Sequence, residues 1–333
     1  MSTSSPTLPG HALFDEGDCA VELPACDHYA GVEARMRKSL ALQAELGPVF
    51  DVTLDCEDGA PVGGEAEHAR LVAEVANSSA NAAGRCGVRV HPVDHPSFAD
   101  DVAAIVGSAA SRLAYVMLPK IERVADIDRA VAAIDAAGGR SLPLHALVET
   151  HGGLREVVAL AAHPRIESLS FGLMDFVSAH RGAIPASAMS VEGQFSHPLV
   201  VRAKLEIAAA CHGFAKTPSH CVVTEFADVA VVAAAARRAK CEFGYTRMWS
   251  IHPNQIRPIV AAFQPGADEI EEAVAILDAA ARADWAPIRR GDVLHDRASY
   301  RYFWRVVRRA ARAPGGLADD VRQRFFGTDD ARP

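Results

Sequence analysis

An α/β protein built as a (β/α)8 TIM barrel with a C-terminal helical extension is the fold predicted here, and three observations predict it. Eight short apolar runs alternate with Ala-rich helical or loop stretches between residues 19 and 263. Gly, Pro or helix-starting residues bound these runs, as expected of buried parallel strands that feed βα loops. Polar residues close the runs at intervals of about one βα unit, which brings them to one end of a barrel, where barrel sites are built. The runner-up, a doubly wound sheet, calls for a glycine-rich phosphate turn after its first strand, and LPACDHYAG contains no GxGxxG.

In chain order, residues 1–18 are rich in Ser, Pro and Gly without periodicity and read as a loose arm. Strands are expected at CAVELPAC (19–26), FDVTLD (50–55), CGVRV (86–90), AYVMLP (114–119), LHALVE (144–149), SLSFGL (168–173), HCVVTE (220–225) and YTRMWSI (245–251). Helices are expected at GVEARMRKSLALQAEL (31–46), ADIDRAVAAIDAA (125–137) and PLVVRAKLEIAAACHG (198–213). Beyond Pro265 strand signals stop: 264–284 is an acidic amphipathic helix, and a basic helix runs from about Arg297 to Arg312. There Arg301, Arg305, Arg308 and Arg312 share one face, read as solvated or subunit-docking, with attraction of an anionic ligand tail as the alternative. The expected division is 1–18 arm, 19–263 barrel and 264–333 helical lid.

Composition excludes some classes. Half of the 333 residues are apolar, 23% are charged and the net charge is −8, which disfavours a general nucleic-acid binder. No run of about eighteen apolar residues exists, and MSTSSPTLPGHALFDEGD lacks the regions of a signal peptide. A cytoplasmic protein with no membrane partner is expected. The seven cysteines, an odd count without a CxxC pair, read as reduced core residues.

The chemistry centres on Leu144–Asp175, where two apolar runs each end near a lone carboxylate, Glu149 and Asp175. A negative charge at a buried strand end is costly without a cation or a hydrogen-bond cage, so the pair points to a shared divalent metal. The alternative is that each caps the following helix, which suits Asp175 better than Glu149. Around them the strand ends carry Asp55, Glu57 and Asp58, then Arg89, Lys120, Thr224, Glu225 and His252. Arg89, flanked by Val88 and Val90, needs a carboxylate, either Glu57 or Asp58, or a substrate anion. Two readings stand for Lys120, a snorkelling loop lysine or a site residue, and for His252, a barrel-closing histidine or a substrate contact. No Cys/His cluster has zinc spacing, so oxygen ligands and Mg2+ (or Mn2+) are expected. Two carboxylates with a metal beside an arginine suit stabilisation of an enolate oxyanion, hence carbon–carbon bond cleavage or formation next to a carbonyl.

These residues resemble the citrate lyase β-subunit-like branch of the HpcH/HpaI aldolase family. The resemblance rests on DVTLDCEDGAP, VRVHPVDHPSFADDV, VMLPKIE, LVETHGGL, FGLMDF, VVTEFAD and MWSIHPNQIRPI, in that order over roughly 19–312. It implies a barrel of the phosphoenolpyruvate/pyruvate-domain type with a C-terminal helical lid, in trimers or hexamers. It also implies Mg2+-dependent cleavage of a 3-hydroxyacyl thioester such as malyl-CoA, citramalyl-CoA or a citryl thioester, on CoA or an acyl-carrier protein. Carried over by motif, Glu149 and Asp175 match the metal ligands and Arg89 the enolate-binding arginine. Glu57 and Asp58 match the acidic pair near it, Lys120 the lysine of the P-K segment, and Met174, Ile251 and His252 substrate-contacting positions. GDVLHD resembles the lid motif, which implies that Asp296 is the lid acid or base reaching a neighbouring subunit; the alternative is that Asp296 caps the helix that starts at Arg297. Departures are His91 in place of Asn, His220-Cys221 in place of Asp-Gly, and a first strand without R-S-x-L-[FY]-V-P. Two alternatives remain, an aldolase for free 2-oxo acids and a catalytically idle partner subunit.

Overall fold

The structure, a computed structural model, describes residues 8–14, 22–313 and 315–327. Eight parallel strands close into a barrel in sequence order. They are β1 (Cys26–Ala30), β2 (Phe50–Asp55), β3 (Cys86–Arg89), β4 (Val116–Leu118), β5 (Leu144–Val148), β6 (Ile166–Phe171), β7 (Thr217–His220) and β8 (Arg247–Ser250). β1 closes the ring by pairing with β8, Cys26 opposite Met248. The strands are buried on both faces, which is why they read as apolar runs rather than as alternating ones.

Two strands differ from the sequence expectation. β1 is CDHYA, not CAVELPAC; residues 19–21 lie outside the described residues, and 22–25 lead in without strand pairing. The pattern misled because Asp27 and His28 are polar yet buried, and a polar residue inside a run reads as its end. β7 is TPSH, and HCVVTE mostly forms the loop after it. Here a proline and two hydroxyl residues form the strand, and Ser168 Oγ donates to the Thr217 carbonyl across the β6–β7 pair at 2.8 Å.

Side chains alternate along a strand, so Asp27 and Tyr29 of β1, and Asp51, Thr53 and Asp55 of β2, lie on the barrel's inner side. The lower interior is charged. Arg247, wholly buried, donates to Asp51 Oδ2 at 2.5 Å and lies 3.1 Å from Asp27 Oδ2. Thr53 and Tyr115 donate to Asp27 Oδ1 at 2.6 and 3.0 Å. Mutual pairing is what makes burial of these charges tolerable. Tyr29, Tyr115, Met117, Leu147 and Trp249 form an inner apolar cluster, while the larger core lies between strands and helices.

Residues from Gln264 onward, with described residues 8–14, form a second compact unit. Its helices Ala267–Arg282 and Arg297–Ala311 bury Ile276, Leu277, Trp304 and Val307. A β-hairpin, β9 (Ile288–Arg290) with β10 (Val293–His295), stands where no strand was expected; each strand is only three residues, too short to show a periodicity. The expected loose arm is ordered in part: Pro9–Leu13 is helical and Leu13 is buried in this unit. The basic face accounts for that, since Arg301 Nε donates to the Leu13 carbonyl at 2.8 Å and the Arg301 and Arg305 guanidiniums lie 5.9 and 5.8 Å from the Phe14 ring. Among the described residues no helix is long and apolar enough to cross a membrane. Cys26, Cys56, Cys86, Cys211 and Cys221 are buried free thiols, and Cys241 is an exposed one; Cys19 lies outside the described residues.

Candidate active site

β2 ends at Asp55, and the turn after it folds back on that carboxylate. The N–H groups of Glu57 and Gly59 donate to Asp55 Oδ1 and Oδ2 at 3.0 and 2.9 Å. Glycine is required at position 59, where a Cβ would stand 2.3 Å from Asp55 Oδ2. Register pairs Asp55 with Arg89 of β3, so both side chains face the same way. Arg89 donates from Nε to Asp55 Oδ1 at 2.6 Å and from Nη2 to Oδ2 at 2.5 Å, and its Nη1 lies 3.0 Å from Glu57 Oε2. The Tyr29 ring lies 5.3 Å from the guanidinium. Burial works against the Arg89 charge, but Asp55 and Glu57 hold it firmly protonated.

The sequence reading gave Arg89 the choice of Glu57 or Asp58, a substrate anion, or both. The structure puts Asp55 first and Glu57 second; Asp58 is a partner of Lys120 instead, 3.4 Å from its Nζ. Strand register is the reason, because it sets Asp55, not the residues of the following turn, directly opposite Arg89.

Lys120 follows β4 with φ of 52°, a left-handed conformation uncommon for any residue but glycine. That backbone turn aims its N–H at Glu149 Oε1, 2.7 Å away, while Nζ donates to Glu57 and lies 3.8 Å from Asp175 Oδ1. Of its two readings, the snorkelling one fails: the ammonium is held among three carboxylates. Burial opposes its charge, and the Glu57 hydrogen bond more than compensates, so its pKa is raised. Burial pushes Glu57 upward against Arg89 and Lys120, whereas Asp58 is lowered despite burial by its bonds to Glu57 and Lys120.

Glu149 is the first residue past β5 and is 2% exposed. It caps nothing, since Thr150 is the N-cap of the following helix and accepts from the Gly153 N–H at 2.9 Å. Asp175 does not cap either; it lies in the first turn of the helix Leu173–Ser178, behind an N-cap at Gly172. Gly172 must lack a side chain, because a Cβ there would stand 2.2 Å from Glu149 Oε2. Burial, then the charge of Asp175, pushes the Glu149 carboxyl up to about 8.

Five carboxylates (Asp55, Glu57, Asp58, Glu149, Asp175) thus face two cations, Arg89 and Lys120. A divalent ion fits this excess, and Glu149 with Asp175 are the pair whose mutual repulsion it would relieve. No group of three or more His, Cys, Asp or Glu suited to a metal occurs among the described residues. Mg2+ needs no such group, since it is bound by one or two carboxylates with waters and substrate oxygens completing its shell.

Among the described residues, the other expected site residues share no hydrogen bond or ion pair with this network. Met174 is half-buried and packs against the main core. Ile251, 44% exposed, follows β8, and His252 stacks on Phe226 with centroids 4.8 Å apart and accepts from the Asn254 N–H at 3.2 Å. Thr224 donates to Glu225 at 3.2 Å in an exposed loop. Asp296 belongs to the second unit and is the N-cap of Arg297–Ala311, accepting from the N–H groups of Ala298 and Ser299 at 3.0 and 3.3 Å. Gln255 was not singled out from the sequence. Its Oε1 accepts from the Ile251 N–H at 2.9 Å and its Nε2 donates to the Val223 carbonyl at 2.7 Å, tying the β7 and β8 loops together.

Comparison with known proteins follows the same lines. The family model for HpcH/HpaI aldolase/citrate lyase matches residues 38–253. An L-malyl-CoA/beta-methylmalyl-CoA lyase of Cereibacter sphaeroides is 30% identical over 278 residues, 78% of this chain and 86% of that protein. A crystal structure of a citrate lyase from Burkholderia xenovorans LB400 is 56% identical with a TM-score of 0.85, covering 96% of this chain and 99% of that one. The CitE protein of Mycobacterium tuberculosis, in complex with magnesium, acetoacetate and coenzyme A, is 21% identical with a TM-score of 0.70, covering 88% of this chain and all 100% of that one.

Proposed function

Since the chain belongs to the HpcH/HpaI aldolase/citrate lyase family, we propose that it is a Mg2+-dependent carbon–carbon lyase that cleaves or forms a 3-hydroxyacyl-CoA thioester of the malyl-CoA or citramalyl-CoA type. The observation that supports this reading best is the excess of carboxylates over cations around Glu149 and Asp175, beside an arginine locked in place. Malyl-CoA lyases and magnesium-bound structures among the relatives support the substrate class and the metal.

Glu149 and Asp175 hold the Mg2+, which when bound stabilises negative charge developing on a carbonyl oxygen. Arg89 acts on the same charge. Two of its five N–H groups donate to Asp55 and its Nη1 lies 3.0 Å from Glu57 Oε2; its other N–H groups are the donors for the enolate oxygen of the thioester as the bond between C2 and C3 breaks. Because Asp55 fixes the fork, the donors need no reorientation when charge develops. Lys120 orients Glu149 through its N–H, and its ammonium opposes the upward push that burial gives the Glu57 carboxyl. Asp296 is the proposed acid or base for the α-carbon proton, delivered by the lid of a neighbouring copy in a homo-oligomer.

A panel of CoA thioesters assayed with Mg2+ tests the proposal. The expected products are acyl-CoA with glyoxylate, pyruvate or oxaloacetate. Free CoA released without a 2-oxo acid would mean hydrolysis and would overturn the lyase reading.

A further inference from the structure

Away from the barrel mouth, an amine and a thiol are buried against one amide oxygen. Lys204, in the helix Pro198–Gly213, has no exposed surface (0%), and its Nζ donates to Gln194 Oε1 at 3.0 Å. Cys221, the first residue past β7, is equally buried at 0%, and its Sγ donates to the same oxygen at 3.1 Å. Sharing that oxygen brings the amine and the thiol to the two sides of one acceptor. Gln194 is held in place by its short helix, where Gly193 passes so close to Ser187 that a Cβ would stand 1.9 Å from that carbonyl oxygen.

A buried lysine ordinarily needs an anion, and among the described residues Lys204 has no carboxylate partner. Its surroundings are aromatic: Nζ lies 4.0 Å from the Phe195 centroid and 5.5 Å from that of Phe243, while the Arg238 guanidinium lies 4.4 Å from the Phe195 ring. Burial lowers the amine to about 8, which brings its neutral, nucleophilic form closer to neutral pH than in an exposed lysine, while the same burial pushes the Cys221 thiol up. None of these groups belongs to the proposed catalytic machinery.

We propose that Lys204 and Cys221 are a modification site: on exposure to a peroxide they join through a covalent sulfur–nitrogen bond. In the first step the Cys221 sulfur takes one oxygen from hydrogen peroxide, becoming a sulfenic acid, and the other oxygen leaves as water. In the second, Nζ attacks that sulfur, the S–O bond breaks, and the hydroxyl leaves with an amine proton as a second water. One peroxide is consumed, thiol and amine lose two hydrogens in all, and a dithiol reverses the bond by reducing it while forming its own disulfide. Local opening admits the small oxidant to this buried site. Once made, the bond fastens the residue after β7 to the helix Pro198–Gly213, and the β7 loop it anchors is the one Gln255 ties to Ile251.

The test is hydrogen peroxide treatment of the full-length wild-type protein, followed by alkylation under denaturing conditions and peptide mass spectrometry. Exposed Cys241 reports that the oxidant acted. The expected result is loss of alkylatable Cys221 together with a Lys204–Cys221 linked peptide pair, short of two hydrogens and released by dithiothreitol. In Lys204→Arg the linked pair should vanish and dimedone should trap Cys221 as the sulfenic acid. Cys221 that stays fully alkylatable while Cys241 is oxidised would overturn the proposal, as would a disulfide between Cys221 and Cys211.

Discussion

Asp55 grips Arg89 through two hydrogen bonds, Nε to Oδ1 at 2.6 Å and Nη2 to Oδ2 at 2.5 Å, from the strand next to its own. Both side chains are buried, and the carboxylate is caged in turn by the N–H groups of Glu57 and Gly59. Removing one partner of such a pair strands the other charge. Asp55→Ala is expected to destabilise the fold by about 3–5 kcal/mol, and the milder Asp55→Asn to fold but lose turnover because the arginine fork is no longer held. Chemical denaturation and steady-state kinetics check both. An Asp55→Asn enzyme with normal turnover would show that the fork's orientation is unimportant.

Arg89→Lys is expected to be folded and slow, by roughly two to three powers of ten in kcat. A point charge cannot grip Asp55 in two places and still present donors to a substrate oxygen. Near-normal kcat in this variant would reduce Arg89 to a structural partner of Asp55 and Glu57.

Much of this site was legible in the sequence because βα units set the spacing of the strand ends: Glu57, Asp58, Arg89, Lys120, Glu149 and Asp175 were singled out, and the structure joins them. What the sequence hid was register. Asp55 and Glu57 are two residues apart, and only the pairing of β2 with β3 shows that Asp55 faces Arg89. β1 and β7 were misplaced because their inner faces carry Asp27 and Ser219, polar residues that break an apolar pattern. The role of Gln255 was invisible because its partners are backbone groups from two separate loops. The left-handed Lys120 carries no sequence mark at all.

Stability should depend on pH through Glu149. Its carboxyl titrates near 8 in the folded chain against an ordinary 4.5, so between these values the folded state keeps a proton that the unfolded state has released. Stability therefore falls as pH rises through this window, by up to about 1.4 kcal/mol per pH unit, and the penalty is complete above the folded value. In chelator, the wild-type Tm is expected to drop from about pH 6 to about pH 8.5 and the Glu149→Gln Tm to drop less. Differential scanning fluorimetry decides, and equal slopes in the two proteins would remove Glu149 as the cause.

Asp296 is the N-cap of its helix, so its replacement has two separable effects. Asp296→Ala should cost about 1 kcal/mol of stability from the lost cap, whereas Asp296→Asn keeps a capping oxygen and tests the chemistry alone. Mixed under subunit exchange with Glu149→Gln, an inactive Asp296→Asn should regain some activity if one copy's Asp296 serves another's site. A fully active Asp296→Asn would end its catalytic role and leave it a cap.

The central claim is that Glu149 and Asp175 bind the Mg2+ on which the chemistry depends, and isothermal titration of Mg2+ into the wild-type protein and into Glu149→Gln at about pH 8 tests it most directly. The account predicts one site per chain in the wild type and at least a tenfold loss of affinity in Glu149→Gln, with circular dichroism unchanged. Equal Mg2+ affinity in the two proteins, or no binding to the wild type, would contradict it.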